Sequence, residues 1–343
     1  MEIRILDTNF IEIAVIEKYT SFIWTERYNQ YGDFELYSPM GEDWLSKIAI
    51  GNYLSSTDSD RLMIIEAIEI TTNYESGNYI KVTGRSLESI LCRRIVWAQT
   101  IIEGNVQYII KKLITDSIIN PAIADRRIEN FIFEDTTDPA ITSINAESQY
   151  TGDNIYKVVS DICQQVNCGF KILLNENKQF VFSLYKGKDV SDRVTFSNEY
   201  NNLLDSDYTN DTTNYCNVTL VAGEGQGSNR VTQVVGEGKG LDRKELFTDA
   251  RDLSATGTTA AKYLVQLKQR GNEKLAEIKN TEAFQGTVVP DILYKYGVDY
   301  SIGDTVKFLD MYGHYGKPMI NEYIISCDEE NGYYCYPTFI MEE

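Results

Sequence analysis

Between residues 3 and 84 apolar and polar positions alternate along the chain. Ile3 and Ile5 flank Arg4, Ile11, Ile13 and Val15 are separated by Glu12 and Ala14, and Phe34 and Leu36 alternate with Asp33, Glu35 and Tyr37. Leu62, Ile64, Ile68 and Ile70 fall in one β-branched run, and Ile80 and Val82 follow the turn Ser76-Gly77-Asn78. A two-residue period broken by Gly, Asn and Asp predicts antiparallel strands. The stretch therefore reads as a β-barrel or curled sheet.

The period then lengthens. Leu87, Ile90, Leu91 and Ile95 fit one helical face. Val106, Ile109, Ile110, Leu113, Ile114 and Ile118 predict a helix that stops at Asn120-Pro121, because proline disfavours helix in the residue before it. Ile155, Val158, Val159, Ile162 and Val166 predict another, with Asp153 as N-cap and a left-handed stop at Cys168-Gly169. A hairpin follows, from Phe170–Leu174 through Asn175–Lys178 to Phe180, Phe182 and Leu184.

Residues 198–214 are polar and read as the best internal boundary. Beyond it the pattern predicts strands at 217–222 and 230–235, and a helix carrying Tyr263, Leu264, Leu267, Leu275 and Ile278. Four more strands are expected at 284–289, 304–309, 321–326 and 333–339, with Gly303 and Asp304 turning into the second of them. The turn Glu329-Glu330-Asn331-Gly332 joins the last two, since Asn-Gly tolerates positive φ. The expected fold class is α+β and β-rich, with units at 1–95, 96–200 and 201–343. This is not the regular alternation of a parallel α/β enzyme.

Composition narrows the function classes. Acidic residues outnumber basic ones 51 to 32, giving a formal charge of −19. Such a chain is not built to wrap nucleic acid, which needs clustered Lys and Arg. No apolar run reaches the roughly 18–20 residues of a membrane span, and the first ten residues, MEIRILDTNF, lack a secretory pattern. The cysteines Cys92, Cys163, Cys168, Cys216, Cys327 and Cys335 are expected as reduced thiols, with Cys327 and Cys335 the pair to watch.

Candidate chemistry is sparse. His314 is the only histidine and lies in the loop sequence MYGHYGKP. There is no G-x-S-x-G elbow and no C-x-x-C pair. The runs Gly223–Gly227 and Gly236–Gly240 each carry a glutamate, and the second lacks the Ser or Thr of a P-loop; both read as hairpin ends. Tyr294, Tyr296, Tyr300, Tyr312 and Tyr315 suit an interface, with core packing or sugar stacking as alternatives. No catalytic, cofactor or metal residues are assigned, and no cofactor is expected.

The segment SFIWTERYNQYGDFELYSP, Ser21–Pro39, resembles the N-terminal signature of the tail-hub family of long-tailed phages and their prophage relatives. Further strings follow in the family's order: Val82–Leu87 into Leu91–Val96, Gly223–Arg230 before Asp242–Glu245, Tyr300–Val306, and Asn331-Gly332 with Tyr336–Phe339. The resemblance spans nearly the whole chain. It implies a structural protein similar to the central trimeric baseplate hub of contractile phages. Each subunit of such a hub contributes two tube-type β-barrel domains around an α+β middle domain. The implied role is to join a six-fold tail tube to a three-fold tip and line part of the channel, in the virion tail, after assembly in the bacterial cytoplasm. Implied partners are two further copies in a homotrimer, the tail tube or distal tail protein, the tape-measure protein, and spike or fibre proteins. Because the sequence stops near the end of the hub unit, a built-in lysin is not expected. The competing readings are a tail-associated cell-wall hydrolase and a receptor- or sugar-binding tail module.

Overall fold

The structure, a computed structural model, describes residues 2–16, 18–41, 44–74, 77–278, 281–288, 293–328 and 332–341. Strands β1 (Ile3–Leu6), β2 (Glu12–Ile16), β3 (Ser21–Arg27) and β4 (Asp33–Pro39) precede a short helix α1 (Trp44–Lys47). Then come β5 (Tyr53–Ser56), β6 (Leu62–Asn73) and β7 (Gly77–Ser86). The middle holds β8 (Thr100–Asn105), α2 (Val106–Ile114), β9 (Phe131–Glu134), α3 (Pro139–Thr142) and β10 (Asn145–Tyr150). It continues with α4 (Ile155–Gln165), β11 (Gly169–Leu174), β12 (Phe180–Tyr185) and β13 (Thr195–Ser197). The remainder is β14 (Leu203–Asp211), β15 (Val218–Ala222), β16 (Thr232–Gly236), β17 (Glu245–Asp249) and α5 (Ala260–Glu277). The last strands are β18 (Thr281–Val288), β19 (Lys307–Leu309), β20 (Tyr315–Gly316), β21 (Met319–Asp328) and β22 (Gly332–Ile340).

Eleven strands from the two ends of the chain form one sheet, in the order β14-β18-β22-β21-β3-β4-β7-β6-β5-β1-β2, and every neighbouring pair is antiparallel. Among the described residues no sheet closes on itself. The join is β3 against β21, from Arg27 opposite Glu322 to Ser21 opposite Asp328. One core backs this sheet, with Phe22, Trp24 and Phe34 packed among Ile320, Tyr323 and Phe339. Termini nearly 300 residues apart thus share one apolar interior, and burial of large aromatic side chains there is the main driving force for their association.

Inside the sheet a four-strand arrangement occurs twice. Reading across, β14-β18-β22-β21 is followed by β3-β4-β7-β6. In each set the third and fourth strands along the chain swap places across the sheet, and each set begins with the same strand direction.

The middle residues form a second core, in which α2 and α4 lay Ile109, Ile110, Leu113, Val159 and Ile162 against Phe170 and Phe182 of the β11–β12 hairpin. Asn105 caps α2 by accepting the Tyr108 N–H at 2.8 Å. After Ile114 the helix widens into a π turn, Thr115–Ile119, and ends before Pro121 as expected. The N-cap of α4 is Asn154 rather than Asp153, whose carboxylate accepts the Thr151 N–H instead. The left-handed stop is Asn167, at φ 50°, not Gly169. Residues 87–93 form a 3-10 turn rather than an α-helix. A third, small core lies where α5 covers the sheet β16-β15-β17, through Val221, Val235, Tyr263 and Leu267.

The boundary expected at 198–214 is largely strand: β14 is polar because it lies at a sheet edge with most of its residues exposed. The Glu329–Asn331 part of the last turn, Ser76 of the earlier one, and Val289 lie outside the described residues.

Candidate functional site

The signature strand β3 occupies the place where all parts of the chain meet. Trp24 is fully buried, and its indole N–H donates to Glu26 Oε1 at 3.3 Å. Glu26 Oε1 also accepts from the Ser59 hydroxyl, and Oε2 accepts from the Tyr296 hydroxyl at 2.8 Å. Arg27 donates to Glu322 across the β3–β21 join at 2.6 Å, and to Asp33 and the Tyr31 carbonyl on its own side. Burial alone would lower the Arg27 pKa, but Asp33 and Glu322 raise it above the ordinary arginine value.

Tyr28 extends the join to the middle residues. Its hydroxyl donates to the Asn167 carbonyl at 3.4 Å and accepts the Gly187 N–H at 3.3 Å. A Cβ at Gly169 would lie 2.5 Å from this ring, and one at Gly303 would lie 2.3 Å from it. Gly303 has φ +92°, in the left-handed region that glycine favours, so the expected turn is present. Asp304 fixes it by accepting the N–H of Ser301 at 2.9 Å and of Lys188 at 2.7 Å. Burial pushes the Tyr28 phenol far up, so it stays a neutral hydrogen-bonding group.

A cleft of about 540 Å³ opens beside this cluster, lined by residues that include Glu26, Asp58, Asp60, Arg61, Lys171 and Tyr296. Arg61 is buried against Glu88, whose Oε1 also accepts the Ile172 N–H at 3.0 Å. Donors from three places in the chain, Trp24, Ser59 and Tyr296, hold the Glu26 carboxylate, which makes it a structural joint. Among the described residues no group of three or more His, Cys, Asp or Glu side chains is arranged to hold a metal. None of the described helices is long and apolar enough to cross a membrane.

The tyrosine group divides. Tyr296 and Tyr300 belong with Tyr323 in the first core, where Tyr296 stacks on Tyr323 at 3.9 Å between ring centroids. Tyr312 and Tyr315 remain exposed. The interface expectation therefore fails for Tyr300, which is buried, whereas Tyr296 is half-buried and also lines the cleft; aromatic spacing in sequence cannot distinguish a buried stack from a surface one. His314 lies in an exposed turn but is tied down. Its Nδ1 is 2.7 Å from Asp310 Oδ2, and its ring stacks on Tyr208 of β14 at 4.3 Å. Although burial opposes it, donation from His314 and nearby backbone N–H groups holds the Asp310 carboxyl below its usual value. The first glycine run joins β15 to β16, and the second leads from β16 toward β17. Cys335 faces Ile325 and Cys327 faces Tyr333, so this pair is not directly opposed.

The polar face of the eleven-stranded sheet carries ion pairs between strands: Lys81 with Glu35 at 2.7 Å, Arg85 with Glu66 at 2.6 Å, and Arg27 with Glu322 at 2.6 Å. Among the described residues this sheet leaves three strand sides open, of which one is that of β2, paired only with β1. The other two are β14, which pairs only with β18, and the part of β6 beyond Ile65, since β5 and the residues just before it cover β6 only from Leu62 to Ile65. Sequence reading missed all three, because an open edge is a property of the assembled sheet.

No curated protein sequence matches the chain. Solved structures share its fold along nearly their whole length. The tail protein from Neisseria meningitidis MC58 gives a TM-score of 0.58 at 13% identity, covering 99% of this chain and 96% of that one. Prophage tail protein gp18 from Listeria monocytogenes EGD-e gives 0.58 at 11%, covering 100% and 95%. The 43 kDa tail protein of prophage MuSo2 from Shewanella oneidensis gives 0.58 at 11%, covering 99% and 97%. The family model described as Siphovirus ReqiPepy6 Gp37-like protein matches residues 2–339, so the chain belongs to that family.

Proposed function

We propose that the protein is a structural hub at the distal end of a phage tail, working as a homotrimer that joins a six-fold tube to a three-fold tip. The observation that carries this is the repeated four-strand arrangement, two sets side by side in one sheet with the same order and direction. Three copies arranged about an axis along the strands offer six such sets, which matches a six-fold tube without six chains. In this reading the tube-type barrel units are 1–95 and 201–343, and 96–200 is the α+β unit between them. The ion-paired polar face lines the channel, and the charge of −19 keeps DNA from adhering to it. The tube or distal tail protein, the tape-measure protein, and spike or fibre proteins are the partners. The work is mechanical rather than catalytic, which agrees with a Glu26 carboxylate committed to three donors. Counting copies per purified tail by quantitative mass spectrometry tests the reading. Three copies support it, and six contradict it.

A further inference from the structure

The two four-strand sets can be aligned residue by residue. The β6–β7 hairpin closes with Asn73 opposite Gly77, and the β21–β22 hairpin with Asp328 opposite Gly332. Superposing these ends places β6–β7 on β21–β22 with a constant shift of 255 residues. An independent feature agrees with that shift: the bulge between Ile65 and Ala67 falls on the bulge between Ile320 and Glu322. Under the same shift Ile65, Ile70, Gly77, Tyr79 and Thr83 meet identical residues, Ile320, Ile325, Gly332, Tyr334 and Thr338. The ladders β4–β7 and β18–β22 then put Asp33 on Ala283, and β3–β4 and β14–β18 put Trp24 on Tyr208.

Within one chain the sets meet through β21 and β3, with Ile325 opposite Trp24. The corresponding outer strands are β6 and β14, whose outer sides are open, that of β6 beyond Ile65. The two strands run in opposite directions, since the eight strands from β14 to β6 are joined by antiparallel ladders throughout. A rotation about an axis along the strands preserves direction, so β6 of one copy meets β14 of the next antiparallel, as β21 meets β3.

We infer that a second copy of this chain adds its β14 to the open side of β6 in the register of the internal join, so that Ile70 lies opposite Tyr208 of the neighbouring copy. The inference rests on the ring proposed above and adds its contact surface. At the internal join, Ile325 and Trp24 are 1% and 0% exposed; at the aligned positions Ile70 and Tyr208 are 45% and 36% exposed. A β-branched residue and an aromatic one are thus left half-covered where a cross-strand pair is already buried in the other set. The same alignment puts Thr72 opposite Ser206 and Ala67 opposite Asp211. The internal Arg27–Glu322 ion pair therefore has no counterpart between copies, and the outer contact is the more easily separated of the two.

The test is disulfide trapping in tails assembled from double-cysteine variants. Ile70→Cys with Tyr208→Cys and Thr72→Cys with Ser206→Cys are the in-register pairs. Ile70→Cys with Asp205→Cys is the pair displaced by three residues. The Thr72–Ser206 pair spares the Tyr208–His314 stack and so is the safer for folding. Oxidised tails run without reductant are expected to give covalent dimers and trimers from the in-register pairs, at least about tenfold more than from the displaced pair, with none from single variants. Trapping that favours the displaced pair overturns the register. So does an absence of trapping from both in-register pairs in tails that hold three copies. A copy number other than three overturns the ring itself, so the two failures are distinguishable.

Discussion

Replacing Gly303 with alanine tests the join at Tyr28. At φ +92° an alanine carries backbone strain, worth roughly 1–2 kcal/mol. Its Cβ would also stand 2.3 Å from Tyr28 Cε2 and 2.7 Å from Cδ2. The ring cannot swing away, because it is 1% exposed and its hydroxyl is held by Asn167 and Gly187. Overpacking of this kind costs roughly 1–3 kcal/mol more, so the total is about 2–5 kcal/mol. For a chain of 343 residues the unfolding entropy is roughly 0.7 kcal/mol/K, and Tm should fall by about 3–7 °C. Gly313 is the matched control: its φ is +89°, but nothing lies within 4 Å of an added Cβ. Gly313→Ala should therefore lower Tm by only about 1–3 °C. Differential scanning calorimetry of both variants, with Gly303→Ala repeated in a Tyr28→Leu background, separates strain from clash. Equal Tm losses at the two glycines, or no relief in the Tyr28→Leu background, would refute the reasoning.

Burial raises the Glu273 carboxyl above its usual value, and that shift outweighs the favourable effects of Arg270, Tyr150 and Gln269. A carboxyl raised on folding stabilises the folded state below the ordinary carboxylate pKa and loses that contribution as pH rises through its folded value. Glu273→Gln should accordingly gain stability relative to the parent between about pH 4 and pH 7; urea unfolding at both pH values checks this, and a flat or opposite trend counts against it. Burial also raises the Cys92, Cys163 and Cys327 thiols, which should react slowly with a thiol reagent in the native protein. Unfolding should release six reactive thiols, and a count of four would reveal a disulfide.

The local elements were legible in the sequence where one face of an element is buried. The stripe Val106–Ile118 and the run Ile155–Ile162 announced helices because their apolar spacing matches a helix turn. The alternation in β4 and β7 likewise announced strands that bury one face. The edge strand β14 was hidden, since a strand exposed along most of its length has no apolar alternation to display. The pairing of β3 with β21 was also hidden, because its partners lie 295 residues apart and nothing local encodes it. The repeat between the two sets emerged only after strand order aligned Ile70 with Ile325, since five identities scattered over two hairpins fall below what sequence comparison resolves. At the join, the sequence marked Trp24–Tyr28 as distinctive. That these residues fasten three parts of the chain required the positions of Glu322, Tyr296 and Gly187.

The proposed hub requires that the two sets of four strands in one chain occupy equivalent places around the tail axis. An electron cryo-microscopy map of the tail tip tests it most directly. The expected map shows three copies in a closed ring, with β14-β18-β22-β21 and β3-β4-β7-β6 alternating around the channel at equal radius. A ring of six copies, or a map with one of the two sets lying outside the ring, would contradict it.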